Sequence, residues 1–447
     1  MSGVRSLYAV TIDSLGADGL GRARVNLPGA GERELAVRNA LPGETIDAVV
    51  RRRRKGIWFA QGERVGPPSP ERVVARCAHF EQCGGCVAQH RDHDLQLEFK
   101  TRQVKELLVA RGLTPPDFGR PVTGPTFAYR HKARLGARYV DGELLIGFRE
   151  AFSNRVVRME SCQILAPQIH AALPGLARVL GGFGAAGQIP QIEVAAGDRD
   201  CAFVVRHLVP LSAHEEEQLA AWAANAGCAI YLQSAGYDSL RAPVTGVHPR
   251  VLAYELPAFD LRFEFLPTDF TQVNPHVNRL LVDAVIQALD LPPGAAVTDL
   301  FCGIGNFSLA LARRGYQVLG LEAAGGAVAR ATHNALLNDL QSHARFAVAD
   351  LHAVGDQAAV LPSAQALASA QALVLDPPRS GAGPNLAAWC QSPGLEQIAY
   401  VSCNPETFAS DAVVLGAAGF RLVDIRVFDM FPHTAHVETF GFFRRDR

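Results

Sequence analysis

The sequence predicts a three-part chain, all-β at its start and α/β at its end, closing in a doubly wound, Rossmann-like domain. Three observations carry that prediction. Residues 265–447 alternate helical and strand patterns, the order that builds a mainly parallel sheet covered on both faces. Residues 1–66 are short alternating runs broken by turn signals, as in a small all-β domain. The segment between, 67–264, mixes strands with a clear helix and carries a tight cysteine group, as expected of an α+β domain.

The last segment gives its elements in sequence order. "LVDAVIQAL", "NFSLALARRG", "AVARATHNALLND" and "PETFASDAVVLGAAG" read as helices. "AVTDLFC", "QVLGLE", "ARFAVAD", "QALVLDPPR" and "QIAYVSCN" read as strands. "LPSAQALASAQAL" is rich in Ala and Ser and reads as a local insertion without chemistry. At the other end, "YAVTI", "RARVNL", "ETIDAVV" and "IWFAQGERV" are strands between turns such as "LGADGLG" and "LPGE". A barrel of the oligonucleotide-binding type suits that density of strands. Arg51 to Lys55, "RRRRK", falls between two of them and is placed to meet phosphates. Pro67, Pro68 and Pro70 make "VGPPSPER" a linker. In the middle segment Leu95, Phe99, Val104, Leu107 and Leu108 recur at helical spacing. That helix, 93–112, is expected to pack on the C-terminal domain.

Composition excludes several classes. The 447 residues contain no apolar stretch of signal-peptide or membrane-spanning length, so a cytoplasmic protein is expected. Nine cysteines there point to metal or catalysis rather than a disulfide framework. Net charge is −1, yet residues 1–160 carry 26 Lys and Arg against 18 Asp and Glu. A basic front half suits a polyanionic partner, above all a nucleic acid.

Four cysteines form the first chemical constellation. Cys77, Cys83 and Cys86 are separated by five and two residues, and Cys162 follows after 75 more. Gly84 and Gly85 let the backbone turn two sulfurs toward one centre. Tetrahedral zinc and a [4Fe-4S] cluster both accept such ligands.

The second constellation is a cofactor site. "VTDLFCGIGNFSLALA" runs from an apolar strand through a Gly-rich turn into a helix. Gly303 and Gly305 allow close approach to a ligand, but the third Gly of the dinucleotide fingerprint is replaced by Asn306 and Phe307. Glu322, 19 residues after Gly303, ends the next strand where a carboxylate can hold ribose hydroxyls. Asp350 closes the following strand, where it could meet the adenine. With Asp299, this acidic series suits a cofactor bearing an ammonium and no phosphates, namely S-adenosylmethionine. Cys302 within the turn reads as packing.

The third constellation requires a thiol. Uracil C5 is too weakly nucleophilic to take a methyl from a sulfonium. A thiolate added at C6 makes an enolate that can, and a base must then remove the C5 proton so that the thiolate can leave. Cys403 in "YVSCNPETFASD", Asp376 in "VLDPPR" and Glu438 in "HVETF" supply the nucleophile, the orienting carboxylate and the base, with His433 and His436 as rival bases. Cytosine-C5 enzymes often carry a further Cys in the strand-four Pro motif. "LDPPRS" has none, which favours uracil.

With "CAHFEQCGGCVAQH", "FTQVNPHVN", "DLFCGIGNF", "LDPPR", "VSCNPETFASD" and "HVETF" in place, the chain resembles the uracil-C5 RNA methyltransferase family over nearly its whole length. The resemblance implies a [4Fe-4S] cluster on Cys77, Cys83, Cys86 and Cys162. It implies S-adenosylmethionine contacts at Gln272, Phe301, Asn306, Glu322, Asp350 and Asp376, with Cys403 as nucleophile and Glu438 as base. Residues 1–66 would be a TRAM domain binding RNA, 67–264 the cluster domain and 265–447 the methyltransferase domain. Members acting on the tRNA T-loop are expected to match only the last two segments and to lack cluster cysteines and barrel. Possession of both favours a uracil of 23S rRNA as target. A monomer is expected, with no obligate protein partner evident. Methylation of another rRNA or tRNA uracil is one alternative. A non-catalytic RNA-binding assembly factor is the other, and the intact Cys403, Asp376 and Glu438 speak against it.

Overall fold

In the computed structural model residues 7–27, 31–244, 250–353 and 369–446 are described. Most of the Ala/Ser-rich insertion lies outside them.

At the N-terminus a six-stranded sheet is ordered Leu7–Thr11, Thr45–Arg54, Ile57–Arg64, Gly31–Arg38, Gly21–Leu27, Ser14–Leu15. Val10, Ile12, Leu35, Val37, Ile46 and Ala60 fill its core. Gly62 is demanded by a close crossing, since a Cβ there would stand 1.8 Å from the Asp47 carbonyl oxygen. The arginine run is less a loop than expected. Arg51 to Arg54 finish the strand Thr45–Arg54, and Lys55 with Gly56 makes the turn at φ 48° and 81°. Arg53 stacks over the Trp58 ring at 3.7 Å. The proline linker is docked: Arg72 donates to both oxygens of buried Glu44, at 2.5 and 2.7 Å.

The middle segment builds a five-stranded sheet in the order Ala229–Gln233, Cys201–Arg206, Gln191–Ala196, Lys132–Val140, Glu143–Gly147. Two helices beyond the one read from sequence pack on it, Pro167–Gly181 and Ala213–Ala226. Ile169, Leu176, Leu180 and Leu219 share its core with Leu135, Ile192 and Phe203. The helix His93–Ala110 sends Val104 and Leu108 into a different core, with Phe408, Leu415 and Ile425. Its buried face differs from the expected one. Leu95 and Leu107 are only partly covered, whereas Gln96 and Lys100 are buried.

Beyond a hairpin, Leu252–Leu256 and Leu261–Phe265, comes a seven-stranded sheet. Its order is Ala344–Val348, Gln317–Glu322, Ala296–Leu300, Ala372–Leu375, Gln397–Ser402, Glu438–Arg445, Phe420–Phe428. The first five strands are parallel and Glu438–Arg445 runs against both neighbours. This doubly wound order, with the two halves diverging from Ala296–Leu300, opens a crevice at the carboxyl ends of the strands.

Candidate active site

The crevice is lined by side chains that each strand end delivers. After Ala296–Leu300 the chain turns through left-handed positions at Phe301, Gly303 and Gly305, with φ of 66°, 54° and 91°. Two of these are glycines, which adopt that region without steric cost. Glu322, at its own strand end, accepts the Gly303 amide at 3.3 Å and the Ala324 amide at 2.9 Å. The carboxylate is thereby fixed beside the turn with lone pairs to spare. Asn306 is pinned from behind by a reciprocal amide pair with Asn278, at 2.9 and 3.0 Å, and by the Tyr254 hydroxyl. The Phe301 ring lies 5.5 Å from that of His352. Asp350 is exposed and accepts the His352 amide. Buried Asp299 accepts from Ser308, its other oxygen lacks a partner among the described residues, and burial pushes its pKa to about 7. Three carboxylates on neighbouring strand ends, one with an unsatisfied oxygen, fit a cationic, phosphate-free cofactor.

Asp376, Cys403 and Glu438 stand together on the other side. Gln272 donates to Asp376 at 3.2 Å, and burial raises the Asp376 pKa to about 7. Burial, followed by the charges of Glu438 and Asp376, pushes the Cys403 thiol up to about 11, with Arg379 acting against them. Burial and Asp376 raise Glu438 well above the carboxylate range, and its Oε1 has no hydrogen-bond partner among the described residues. Asn404 fixes the thiol's exit. Its side chain caps the helix Pro405–Ala417 through the Glu406 amide, and its Nδ2 donates to the Arg379 carbonyl at 2.7 Å. Cys403, Arg379, Phe431, Thr434 and His436 face an open cleft of about 1360 Å³ that extends to the barrel and to Arg130 and Phe148. Of the rival bases, His436 lines this cleft. His433 is buried against Phe127, 4.6 Å away, and burial lowers its pKa to about 4.

Among the described residues, no three His, Cys, Asp or Glu side chains converge as a ready single-ion site. The four expected ligands are nonetheless free and electrostatic neighbours: Cys86 is raised by Cys162, Cys83 and Cys77 after burial. Donors converge on this group. The Gly85 amide points at the Cys83 sulfur, the Ile164 and Leu165 amides at Cys162, and Gln89 at Cys86. Arg38 reaches in from the barrel to the carbonyls of Phe80, Cys83 and Cys86, at 2.8, 2.5 and 2.8 Å. Sequence reading missed Arg38, Gln96, Lys100 and Asp429; no local pattern marks a residue whose partner is remote.

An open sheet with carboxylates at its strand ends, and a thiol beside two further carboxylates, is the arrangement of a Rossmann-like methyltransferase. A 23S rRNA (uracil(1939)-C(5))-methyltransferase RlmD of Alkalilimnicola ehrlichii is 41% identical over 447 residues, 99% of this chain and 97% of that protein. That of Aromatoleum aromaticum is 40% identical over 97% of this chain and 99% of its own. The chain belongs to the RlmD-type uracil-C5 RNA methyltransferase family. The family model described as tRNA (Uracil-5-)-methyltransferase matches residues 254–446. The crystal structure of Pyrococcus abyssi tRNA (uracil-54, C5)-methyltransferase with S-adenosyl-L-homocysteine superposes with a TM-score of 0.71 at 25% identity. It covers 98% of this chain and 100% of its own. A tRNA enzyme thus matches the barrel as well as the last two segments, against the expectation from sequence. The three-part architecture does not by itself choose the RNA.

Proposed function

We propose that this protein transfers a methyl group from S-adenosylmethionine to C5 of one uracil in 23S rRNA, the counterpart of position 1939 in its relatives' names. The observation that carries the reading is near-full-length identity of about 40% to those relatives, with Cys403 lining the cleft and Asp376 and Glu438 near enough to raise its thiol. Cys403 adds to C6 of a uracil turned out of the RNA stack. Asp376, held by Gln272, orients the base. Glu438 accepts the C5 proton, the C5=C6 bond re-forms and the thiolate leaves. Gln272, Phe301, Asn306, Glu322, Asp350 and Asp376 hold the cofactor, which when bound supplies the methyl group. Cys77, Cys83, Cys86 and Cys162 hold a [4Fe-4S] cluster, a role supported by the donors aimed at the sulfurs of Cys83, Cys86 and Cys162, as expected around thiolates. The barrel is read as a TRAM domain that offsets the unstacking cost with phosphate contacts.

We place the protein in the cytoplasm as a monomer. No helix among the described residues is long and apolar enough to cross a membrane. Labelled cofactor incubated with unmodified 23S rRNA, followed by nucleoside mapping, tests the reading. Label in 5-methyluridine at the 1939-equivalent position supports it. Label in tRNA alone moves the target, and none at all with iron-loaded, folded protein leaves an RNA-binding factor. Iron, sulfide and broad visible absorption in the purified protein support the cluster, and zinc without that absorption removes it.

A further inference from the structure

Glu438 is the first residue after the loop 429–437, which joins Phe420–Phe428 to Glu438–Arg445. That loop is held chiefly from outside the sheet. Lys100, 1% exposed on the helix His93–Ala110, donates to Asp429 at 2.7 Å and to the Phe431 carbonyl at 3.0 Å. His93 meets the other oxygen of Asp429 at 2.8 Å. The Tyr129 hydroxyl donates to the Pro432 carbonyl. At His433, in the left-handed region with φ 63°, Gln96 accepts the amide at 3.2 Å. The Val87 and Ala88 amides donate to its carbonyl at 2.9 and 3.0 Å. Gln96 is fixed in turn, donating to the Ala88 and Arg91 carbonyls at 2.9 and 2.8 Å.

A hairpin loop needs none of this to close, because the pair Phe428–Glu438 already completes the ladder. A fully buried lysine is costly unless its charge is matched and its N–H groups are satisfied. Here both its bonds run to the base-bearing loop. Phe431, Thr434, Ala435, His436 and Val437 of the loop line the cleft together with Cys403 and Arg379. Displacing the loop would move Glu438, whose Oε1 has no hydrogen-bond partner among the described residues.

We propose that Lys100, assisted by Gln96, is a positioning residue for proton abstraction. Its bonds to Asp429 and Phe431 set the loop so that the Glu438 carboxylate meets the C5 proton. This rests on the assignment of Cys403 and Glu438 above. In the step concerned, the C5–H bond breaks toward Glu438, its electron pair re-forms C5=C6, and the C6–S pair returns to Cys403. Thiolate addition and methyl transfer precede it and need no proton acceptor at C5. A displaced base therefore stalls the reaction after methyl transfer, and the RNA stays bonded to the protein.

The test uses the full chain with labelled cofactor and 23S rRNA, reading labelled methyl in free RNA and in a denaturation-resistant protein–RNA adduct. Lys100→Met should release product 10- to 100-fold more slowly, with the single-turnover rate of methyl incorporation near wild type and label accumulating in the adduct. Gln96→Met, which leaves the Lys100–Asp429 pair intact, should show the same partition more weakly and serves if Lys100→Met does not fold. A structural role alone would lower incorporation and release together, without adduct. That parallel loss, or wild-type release, in whichever variant folds overturns the proposal. Glu438→Gln run alongside separates the two readings. Adduct there but not in the Lys100 and Gln96 variants defeats the positioning role alone, whereas no adduct in Glu438→Gln defeats the assigned base.

Discussion

Asp429 and Glu438 flank one loop, nine residues apart, and both are almost wholly buried, at 1% and 2% exposure. Their carboxyls titrate in opposite directions. Burial would raise Asp429, but bonds from His93 and Lys100 outweigh it and hold the pKa below the usual range. Glu438 has burial and the neighbouring Asp376 acting together, and its pKa rises. Burial sets the stakes for a carboxyl, while partners decide the outcome. A paired carboxylate anchors; an unpaired one retains proton affinity, which a base needs.

The largest expected effects fall on the reactive side of this comparison. Cys403→Ala removes the only thiol at the cleft and should lower turnover by about 10⁴-fold or more, with cofactor binding by calorimetry nearly unchanged. The Asp429 side should also respond in stability. Lys100→Met leaves Asp429 short of a cation and should cost about 3–5 kcal/mol in denaturant unfolding, whereas Glu438→Gln should be neutral or stabilising there. If Glu438→Gln were the more destabilising of the two, the contrast would be wrong.

The same contrast predicts two pH dependences. Asp376, raised to about 7, and Glu438, also raised by burial and by Asp376, must be ionised to act, and the Cys403 thiol is pushed up to about 11. Turnover should therefore climb with pH between about 6 and about 9 without an early plateau. A flat profile across that window would contradict the raised values. For stability the signs differ. The Asp429 contribution is complete above the unfolded carboxylate pKa of about 4 and is lost as pH falls through its lowered folded value. Glu438 stabilises the fold while protonated, and that contribution is lost as pH rises through its raised pKa. The smallest effect is expected at Asn404→Ala, about 1 kcal/mol for the lost helix cap, accompanied by a slower reaction of Cys403 with a thiol reagent if the exit turn relaxes.

What could be read from sequence follows how local each signal is. The Gly-rich turn, Glu322, Asp376 and Cys403 each sit where a strand pattern meets a helix pattern, so their places at the sheet edge are visible in a short window. The helix Ala213–Ala226 was also within reach, because Ser212 and Glu215 form a capping box. Pro167–Gly181 was harder, with Pro174 inside it. Lys100 was out of reach. A lysine on an amphipathic helix reads as solvated, and its partner Asp429 is 329 residues away. Arg38 is hidden for the same reason, its acceptors lying 42 to 48 residues along the chain.

The central claim is that Cys403 bonds to the uracil and that Glu438, unpaired and raised, releases it. Glu438→Gln protein incubated with labelled cofactor and unmodified 23S rRNA tests both halves. The predicted result is a labelled protein–RNA adduct that survives denaturation and is absent when Cys403→Ala is added. Free methylated RNA at the wild-type rate from Glu438→Gln, or an adduct that persists without Cys403, would contradict the account.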